Sequence, residues 1–200
     1  MAELSALQLD ALGELFNISV GRAASALSDL TGEAVSMSVP LVHLLSPPKL
    51  VELIDPDRSR RLTSVSQVFS GSFSGRALLM FPGDASLEVV RMMLGTQVPL
   101  EQLTEMEQDA MCEIGNIILN TCFSTIADML GERFDCGLPR FEIAATEELL
   151  EASESGHVLF VQIQLGLEQR DIEGFVAFIL RGSSLAHLRS ALGRFLGGAA

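Results

Sequence analysis

The chain has 200 residues, which is enough for one domain of ordinary size or for two small halves that share a core. Apolar residues make up 48% and charged residues 20%, a composition typical of a folded protein rather than a disordered tail. Acidic residues outnumber basic ones by 26 to 13, and the net charge of −13 argues against nucleic acid and anionic membranes as partners. A partner of this chain is therefore expected to bring its own cations.

Three features of the sequence bear on its compartment and on bound groups. No apolar run approaches the roughly 20 residues that cross a bilayer, and the N-terminus lacks the basic start of a secretory signal. The cysteines, Cys112, Cys122 and Cys136, are odd in number and lack the close pairs of zinc or redox motifs. We therefore expect a cytoplasmic protein with three reduced, mostly buried thiols, no membrane partner and no metal site.

An internal repeat organises the chain, because the sequence aligns with itself at a shift of 99 residues. The matched pairs are Ser5 and Thr104, Asp10 and Asp109, Glu14 and Glu113, Asn17 and Asn116, Asp29 and Asp128, Gly32 and Gly131, and Pro40 and Pro139. Each half is too small to bury a sheet alone. We therefore predict a single domain over residues 1–200, with pseudo-symmetric halves of about residues 1–99 and 100–200.

The first half is predicted, in chain order, as a long helix, a strand, a short helix, a hairpin and a closing helix. Their predicted ranges are 5–30, 35–39, 49–54, 63–71 with 76–81, and 84–94. Ser5 and Gln8 form a capping box at the start of the long helix, and Gly32 ends it in a left-handed conformation. The strand alternates apolar and polar residues and should stop at Pro40, which has no N–H group for a ladder.

The second half repeats this order. Its predicted ranges are 104–130 for the long helix, 134–138 for the first strand, 146–153 for the connection, 157–167 with 175–180 for the hairpin, and 183–192 for the closing helix. Thr104 and Glu107 form the capping box, Gly131 ends the long helix, and Pro139 ends the strand, one face of which should be buried. The expected fold class is α+β: two α-β-β-β-α halves form one largely antiparallel sheet with two long exposed helices on one face.

Each long helix carries a stripe of polar or small residues that spans roughly 60° of its circumference, opposite its apolar face. The members are Asp10, Glu14, Asn17 and Gly21 on the first helix and Asp109, Glu113, Asn116 and Asn120 on the second. A polar outer face is ordinary for an amphipathic helix, and duplication alone would explain why the stripes match. Buried pairs such as Leu15 and Ile114 nevertheless differ while the polar set is kept, which favours a function that docks onto another molecule.

Both halves share the pattern Asp-x3-Glu-x2-Asn followed by 22 residues and a proline. Its positions are Asp10, Glu14, Asn17 and Pro40 in the first half and Asp109, Glu113, Asn116 and Pro139 in the second. The pattern resembles the signature of the CheC/CheX/FliY family of chemotaxis phosphatases, which act on the phosphorylated response regulator CheY. The resemblance covers nearly the whole chain, and two motifs in two halves are closer to CheC than to the single-motif CheX.

The resemblance implies a phosphatase that hydrolyses the aspartyl phosphate of a CheY-like response regulator. Asn17 and Asn116 would position the attacking water, since phosphoryl transfer depends mainly on positioning and electrostatics. Glu14 and Glu113 would pair with the lysine of the regulator's active site and fix the register of docking. Mg²⁺ would be held by the regulator, so the chain itself would bind no cofactor.

Four further motif positions receive lesser roles from the resemblance. Asp10 and Asp109 would contribute to docking, and Pro40 and Pro139 would be structural, ending the strand beneath each helix. The alternative is a binding module without turnover, which uses the same stripes to sequester a response regulator or the receptor deamidase CheD. An enzyme accelerates phosphate loss at substoichiometric amounts, whereas a binder acts only in proportion to its concentration.

Overall fold

A seven-stranded antiparallel sheet forms the centre of the structure, a computed structural model that describes residues 4–94, 100–151, 157–167 and 170–197. The helices are α1 (Ala6–Thr31), α2 (Pro47–Ile54), α3 (Gly83–Leu94), α4 (Leu100–Leu130), α5 (Thr146–Glu151) and α6 (Ser184–Gly197). The strands are β1 (Val35–Leu45), β2 (Arg61–Gly71), β3 (Gly75–Pro82), β4 (Phe134–Cys136), β5 (Arg140–Ala145), β6 (Val158–Leu167) and β7 (Arg170–Leu180). The predicted α+β class with one antiparallel sheet is confirmed.

The sheet is made by strand exchange between the two halves of the repeat. Its order is β1-β6-β7-β3-β2, and both β4 and β5 pair with the free side of β2. The first strand of the first half therefore pairs with β6 of the second half, while the first strands of the second half pair with β2 of the first. Each half completes the sheet of the other.

Two hydrophobic clusters cover the faces of the sheet. The larger cluster takes residues from α1, α3, α4 and α6, and the smaller one takes residues from α2 and α5 on the opposite face. The long helices α1 and α4 both lie on the larger side, as predicted, and they pack against each other there. Both keep a polar face exposed, so the sheet supports two ridges of polar side chains, one on each helix.

The ends of α1 follow local sequence signals. The Ser5 Oγ accepts a hydrogen bond from the Gln8 N–H at 3.2 Å, and the Gln8 Oε1 accepts one from the Ser5 N–H at 3.0 Å, which completes the predicted capping box. Gly32 and Gly131 follow the two long helices with φ of +73° and +66°. This left-handed conformation is readily adopted by glycine, so both predicted helix ends are confirmed.

The predicted start of α4 is wrong, because the helix begins at Leu100 and Thr104 lies inside it, after the first turn. No free N–H group is left at Thr104 for a cap, and Glu107 has another use. Its buried carboxylate accepts hydrogen bonds from the Ser86 Oγ at 2.7 Å and the Thr63 Oγ1 at 3.3 Å. Glu107 thereby ties α4 to α3 and β2, which no local signal could show.

The strand beneath α1 does not stop at Pro40, contrary to the prediction. β1 runs on to Leu45, and its pairing with β6 shifts register between Ser38 and Leu41. Because β1 is an edge strand, a proline within an irregularity costs it no necessary ladder bond. In the second half no strand crosses Pro139, but β4 already ends at Cys136, before the predicted end at 138, and a strand that was not predicted, β5, begins at Arg140.

Several predicted burials are wrong at the periphery. Leu138 is 88% exposed and Cys136 is exposed. The predicted buried face of the strand over 134–138 is therefore absent, because β4 is only three residues long. The closing helix of the second half also continues to Gly197, beyond its predicted end at residue 192.

One helical stretch, Met106–Leu130, is long and apolar enough to cross a bilayer by length and composition alone. This differs from the expectation that no such stretch exists. Within its most apolar window 56% of the residues are buried, and Met111, Ile114 and Ile118 are fully buried against the sheet and α1. The stretch is thus accounted for as a core helix of this fold.

Candidate functional site

The first polar stripe is presented outward by a helix whose other side is fixed in the core. Asp10, Glu14 and Asn17 are exposed on α1, while Leu12 and Phe16 between them are at most 1% exposed. Glu14 and Asn17 are three residues apart and so lie one turn from each other on the same face. The predicted placement of the carboxylates and the amide on an accessible ridge is therefore found at the first site.

A backbone N–H group holds the amide of Asn17. The Asn17 Oδ1 accepts a hydrogen bond from the Val39 N–H at 3.0 Å. Val39 lies where the β1–β6 register shifts, immediately before Pro40, so its N–H turns to the helix instead of the ladder. This contact gives the proline position a physical role, because the irregular strand next to it supplies the donor that orients Asn17.

An open groove of about 430 Å³ runs beside this ridge. Polar residues of α1 form one side and apolar residues of β1, α1 and α6 form the other. The lining includes Asp10, Glu14 and Asn17 together with Leu7, Leu9, Val39, Leu41, Val42 and Leu196. A groove with one polar and one apolar wall is suited to a protein segment rather than to a small polar molecule alone.

The second stripe has the same layout but a more enclosed amide. Asp109 and Glu113 are exposed on α4, whereas Asn116 is half-buried. The Asn116 Oδ1 accepts two hydrogen bonds, from the Asn120 Nδ2 at 2.7 Å and from the Gln67 Nε2 at 3.1 Å. Residues predicted from the repeat are thus brought together at both sites, yet different neighbours hold the two amides.

Gln67 is a residue of the second site that sequence reasoning missed. It is 1% exposed on β2, and its Nε2 also donates to the Gly137 carbonyl at 3.3 Å. The available signal was its place among inward-facing positions of an alternating strand, between Val65 and Phe69, where a polar side chain needs a partner. Its link to Asn116 spans 49 residues of sequence and could not be read from local spacing.

The absence of a side chain at Gly115 lets α4 approach β2 closely enough for this contact. A Cβ atom added to Gly115 would lie 2.5 Å from the Cγ1 of Val65. At the matching position of the first half stands Phe16, whose ring is buried in the larger hydrophobic cluster. Close contact at Gly115 places Asn116 within reach of the Gln67 amide.

The thiols near these helices are held in their protonated form. Burial, and secondarily the Asp109 carboxylate, raises the pKa of Cys112, and burial raises the pKa of Cys122 to about 12. Partial desolvation of the thiol, and secondarily the neighbouring Asp135 carboxylate, raise the pKa of Cys136 as well. A nucleophilic cysteine needs a lowered pKa, so the arrangement does not favour thiolate chemistry.

Among the described residues, no three His, Cys, Asp or Glu side chains lie close enough together to hold a metal ion. Each site consists of two exposed carboxylates and one amide, which is exposed at Asn17 and half-buried at Asn116. Such a set can accept hydrogen bonds from a cationic partner and can orient a water molecule. It can do this only when another molecule supplies the reacting group.

The fold defines a class of proteins that includes FliY and CheX. Thermotoga maritima FliY superposes with a TM-score of 0.78 at 18% identity, over 96% of this chain and 98% of that one. CheX in the CheX-CheY-BeF3-Mg+2 complex from Borrelia burgdorferi superposes with a TM-score of 0.53 at 20% identity, over 84% of this chain and 97% of that one.

Sequence comparison places the chain within this class. A family model described as "Chemotaxis phosphatase CheX" matches residues 63–164, just over half of the chain, and one described as "CheC-like family" matches residues 7–44. The "CheY-P phosphatase CheC" of Bacillus subtilis (strain 168) is 26% identical over 200 residues, which covers 94% of this chain and 95% of that protein. The chain belongs to the CheC/CheX/FliY family of chemotaxis phosphatases.

Proposed function

We propose that this protein hydrolyses the aspartyl phosphate of a CheY-like response regulator, using the Glu–Asn pairs of α1 and α4. The observation that carries the proposal is the exposed Glu14 one turn from an exposed, hydrogen-bonded Asn17, repeated as Glu113 and Asn116. Two comparisons support it: the relative from Bacillus subtilis is named a CheY-P phosphatase, and a protein of this fold forms a complex with CheY.

The residue types match the chemistry of an acyl phosphate. A water oxygen bonds to phosphorus in line as the bond from phosphorus to the aspartate oxygen breaks, which yields inorganic phosphate and the free carboxylate. Such a step needs mainly a correctly placed water, which a neutral amide can hold without repelling the anionic phosphoryl group. Asn17 or Asn116 would enter the regulator's site for this purpose.

The carboxylates would set the position of the two proteins. Glu14 and Glu113 would accept hydrogen bonds from the lysine of the regulator, and Asp10 and Asp109 would extend the same acidic ridges. The net charge of −13 suits a partner that presents cations. Mg²⁺ would be held by the regulator, and the reaction would take place in the cytoplasm, where response regulators work.

The proposal is tested by the double variant Asn17→Ala/Asn116→Ala, with a CheY-like regulator phosphorylated by a small-molecule donor. Inorganic phosphate is followed with the protein at substoichiometric concentration. We expect loss of the acceleration without loss of the fold, because neither side chain belongs to the hydrophobic clusters. The matched control is Asp29→Ala/Asp128→Ala, which removes exposed carboxylates at equivalent positions of the same helices but outside the stripes.

Unchanged phosphate release by the double Asn variant would overturn the proposal. The alternative of a binding module, which holds a regulator or CheD without turnover, predicts that the wild-type effect scales with protein concentration and is complete only at stoichiometric amounts. The same assay therefore separates the two functions. A family assignment as phosphatase favours turnover.

A further inference from the structure

The two amides differ in what they can still offer to a ligand. An amide oxygen has two acceptor sites and its nitrogen carries two donors. Within the described part of the chain, the Asn17 Oδ1 accepts one hydrogen bond, from Val39, and so retains one acceptor site. The Asn116 Oδ1 accepts two, from Gln67 and Asn120, so only its Nδ2 donors remain.

The orientation of each amide is fixed by a backbone group that can only donate or only accept a hydrogen bond. The Val39 N–H can only donate, so the oxygen of Asn17 must face it. The Gly137 carbonyl can only accept, so Gln67 must turn its Nε2 toward Gly137 and thereby toward Asn116. In this orientation the Gln67 Oε1 is buried without a partner among the described residues, which costs free energy. The reversed orientation is worse, because it would point the Gln67 Oε1 at the Gly137 carbonyl oxygen and at the Asn116 Oδ1.

The difference at Asn116 comes from one position of the repeat. Asn120 lies one turn beyond Asn116 and supplies the second donor at 2.7 Å. The equivalent position on α1 is Gly21, which has no side chain, and no atom would lie within 4 Å of a Cβ atom added there. Asn17 is also exposed beside the open groove, whereas Asn116 is half-buried.

The free groups suit different parts of an aspartyl phosphate. A water that attacks phosphorus must direct a lone pair at it, so its hydrogens need acceptors. Asn17 retains such an acceptor, while Asn116 presents N–H donors that match the phosphoryl oxygens instead. An amide that only donates to the water occupies one of its two lone pairs and provides no acceptor for its hydrogens.

We propose that hydrolysis takes place at Asn17, and that Gln67 and Asn120 are positioning residues that make the second site bind the phosphorylated regulator without turnover. This inference rests on the proposed function. It assigns the phosphatase activity to the ridge of α1 and a holding role to the ridge of α4.

Single variants test the assignment by steady-state phosphate release. We expect Asn17→Ala to lower kcat by roughly tenfold or more, since the positioned acceptor is lost. Asn17→Ala should still bind the regulator loaded with beryllium fluoride and Mg²⁺, as measured by calorimetry. Asn116→Ala should lower kcat less than Asn17→Ala does, and should weaken binding of the beryllium fluoride regulator at the ridge of α4. A larger loss of kcat in Asn116→Ala than in Asn17→Ala would overturn the inference.

A reciprocal exchange tests the positioning residues. In the Asn17→Ala background, Asn120→Ala frees one acceptor site on Asn116, and we expect kcat to rise severalfold while binding of the beryllium fluoride regulator is unchanged. In the Asn116→Ala background, Gly21→Asn adds a donor beside Asn17, and we expect kcat to fall. A purely structural role for Asn120 predicts no recovery, and that result would overturn the inference.

Failure of this inference is distinguishable from failure of the proposed function. If Asn17→Ala/Asn116→Ala keeps wild-type phosphate release, the proposed function itself is wrong. If that double variant is inactive but Asn116→Ala is the more damaging single change, the function stands and only the division of labour is wrong. Thermal unfolding of each variant, followed by circular dichroism, verifies that Asn120→Ala and Gly21→Asn remain folded, as their helix propensities favour.

Discussion

Gly115 shows how a single residue determines the geometry of the second site. Its lack of a side chain allows α4 to lie against Val65 of β2, which is 0% exposed. The next residue, Asn116, then reaches Gln67 on the same strand. The glycine is therefore a packing requirement of the site, although glycine within a helix normally lowers stability.

We expect Gly115→Ala to lower the free energy of unfolding by about 1–3 kcal/mol, because the new Cβ would lie 2.5 Å from the Val65 Cγ1 in a fully packed region. The matched control is Gly21→Ala in α1, where nothing lies within 4 Å and the helix propensity of alanine should stabilise by about 0.5–1 kcal/mol. Urea unfolding followed by circular dichroism measures both changes. Equal stabilisation by the two substitutions would show that α4 is not in tight contact with β2.

At the scale of elements, the helix that carries Asn17 depends on its N-terminal cap. Ser5 and Gln8 exchange hydrogen bonds across the first turn, and the Gln8 Nε2 also donates to the Arg189 carbonyl of α6 at 3.1 Å. Hydrogen bonds therefore stabilise the first turn of α1 internally and also join it to α6. The site lies only two to three turns farther along.

We expect Ser5→Ala to lower the free energy of unfolding by about 1 kcal/mol, because a free N–H group loses its acceptor. Ser46→Ala is the matched control, since Ser46 occupies the N-cap of α2 but makes no side-chain capping bond. Its effect should stay within about 0.5 kcal/mol. Denaturant titration of both variants measures the difference, and equal losses would mean that the capping bond of Ser5 contributes nothing measurable.

Elements with local signals were predictable from sequence, and those governed by distant partners were not. The start of α1 follows Ser5 and Gln8, which interact across three residues. The same signal at Thr104 is overridden because Glu107 bonds to Ser86 and Thr63 on other elements. At the candidate sites the spacing placed Glu14 and Asn17 on one face, but the hydrogen bond that ties Asn116 to β2 depends on how α4 packs on the sheet.

At the scale of the whole molecule, strand exchange joins the halves of the repeat. β1 pairs with β6, and β5 pairs with β2, so the hydrogen bonds of each outer strand lie in the other half. Helices α1 and α4, one from each half, also pack against each other in the larger cluster. Sequence symmetry indicated two similar units, but not that they would interchange strands, because pairing between halves leaves no local pattern.

We expect a single cooperative unfolding transition, because neither half retains a complete sheet once the other unfolds. The calorimetric enthalpy should equal the van't Hoff enthalpy, and circular dichroism should report the same midpoint. The chain contains no tryptophan or tyrosine, so these methods are preferable to intrinsic fluorescence. Two resolved transitions would contradict the prediction and show that the halves unfold separately.

The bond between Asn17 and Val39 also explains why the motif includes a proline so far from its other members. From Asn17 the chain travels about 20 Å down the helix at 1.5 Å per residue, reverses at Gly32, and climbs back along the edge strand at about 3.3 Å per residue. The 22 residues between Asn17 and Pro40 form a closed loop of helix and strand that brings the Val39 N–H back to Asn17. In the second half the segment from Asn116 to Pro139 has the same length, and there the Gln67 side chain links Asn116 to the Gly137 carbonyl.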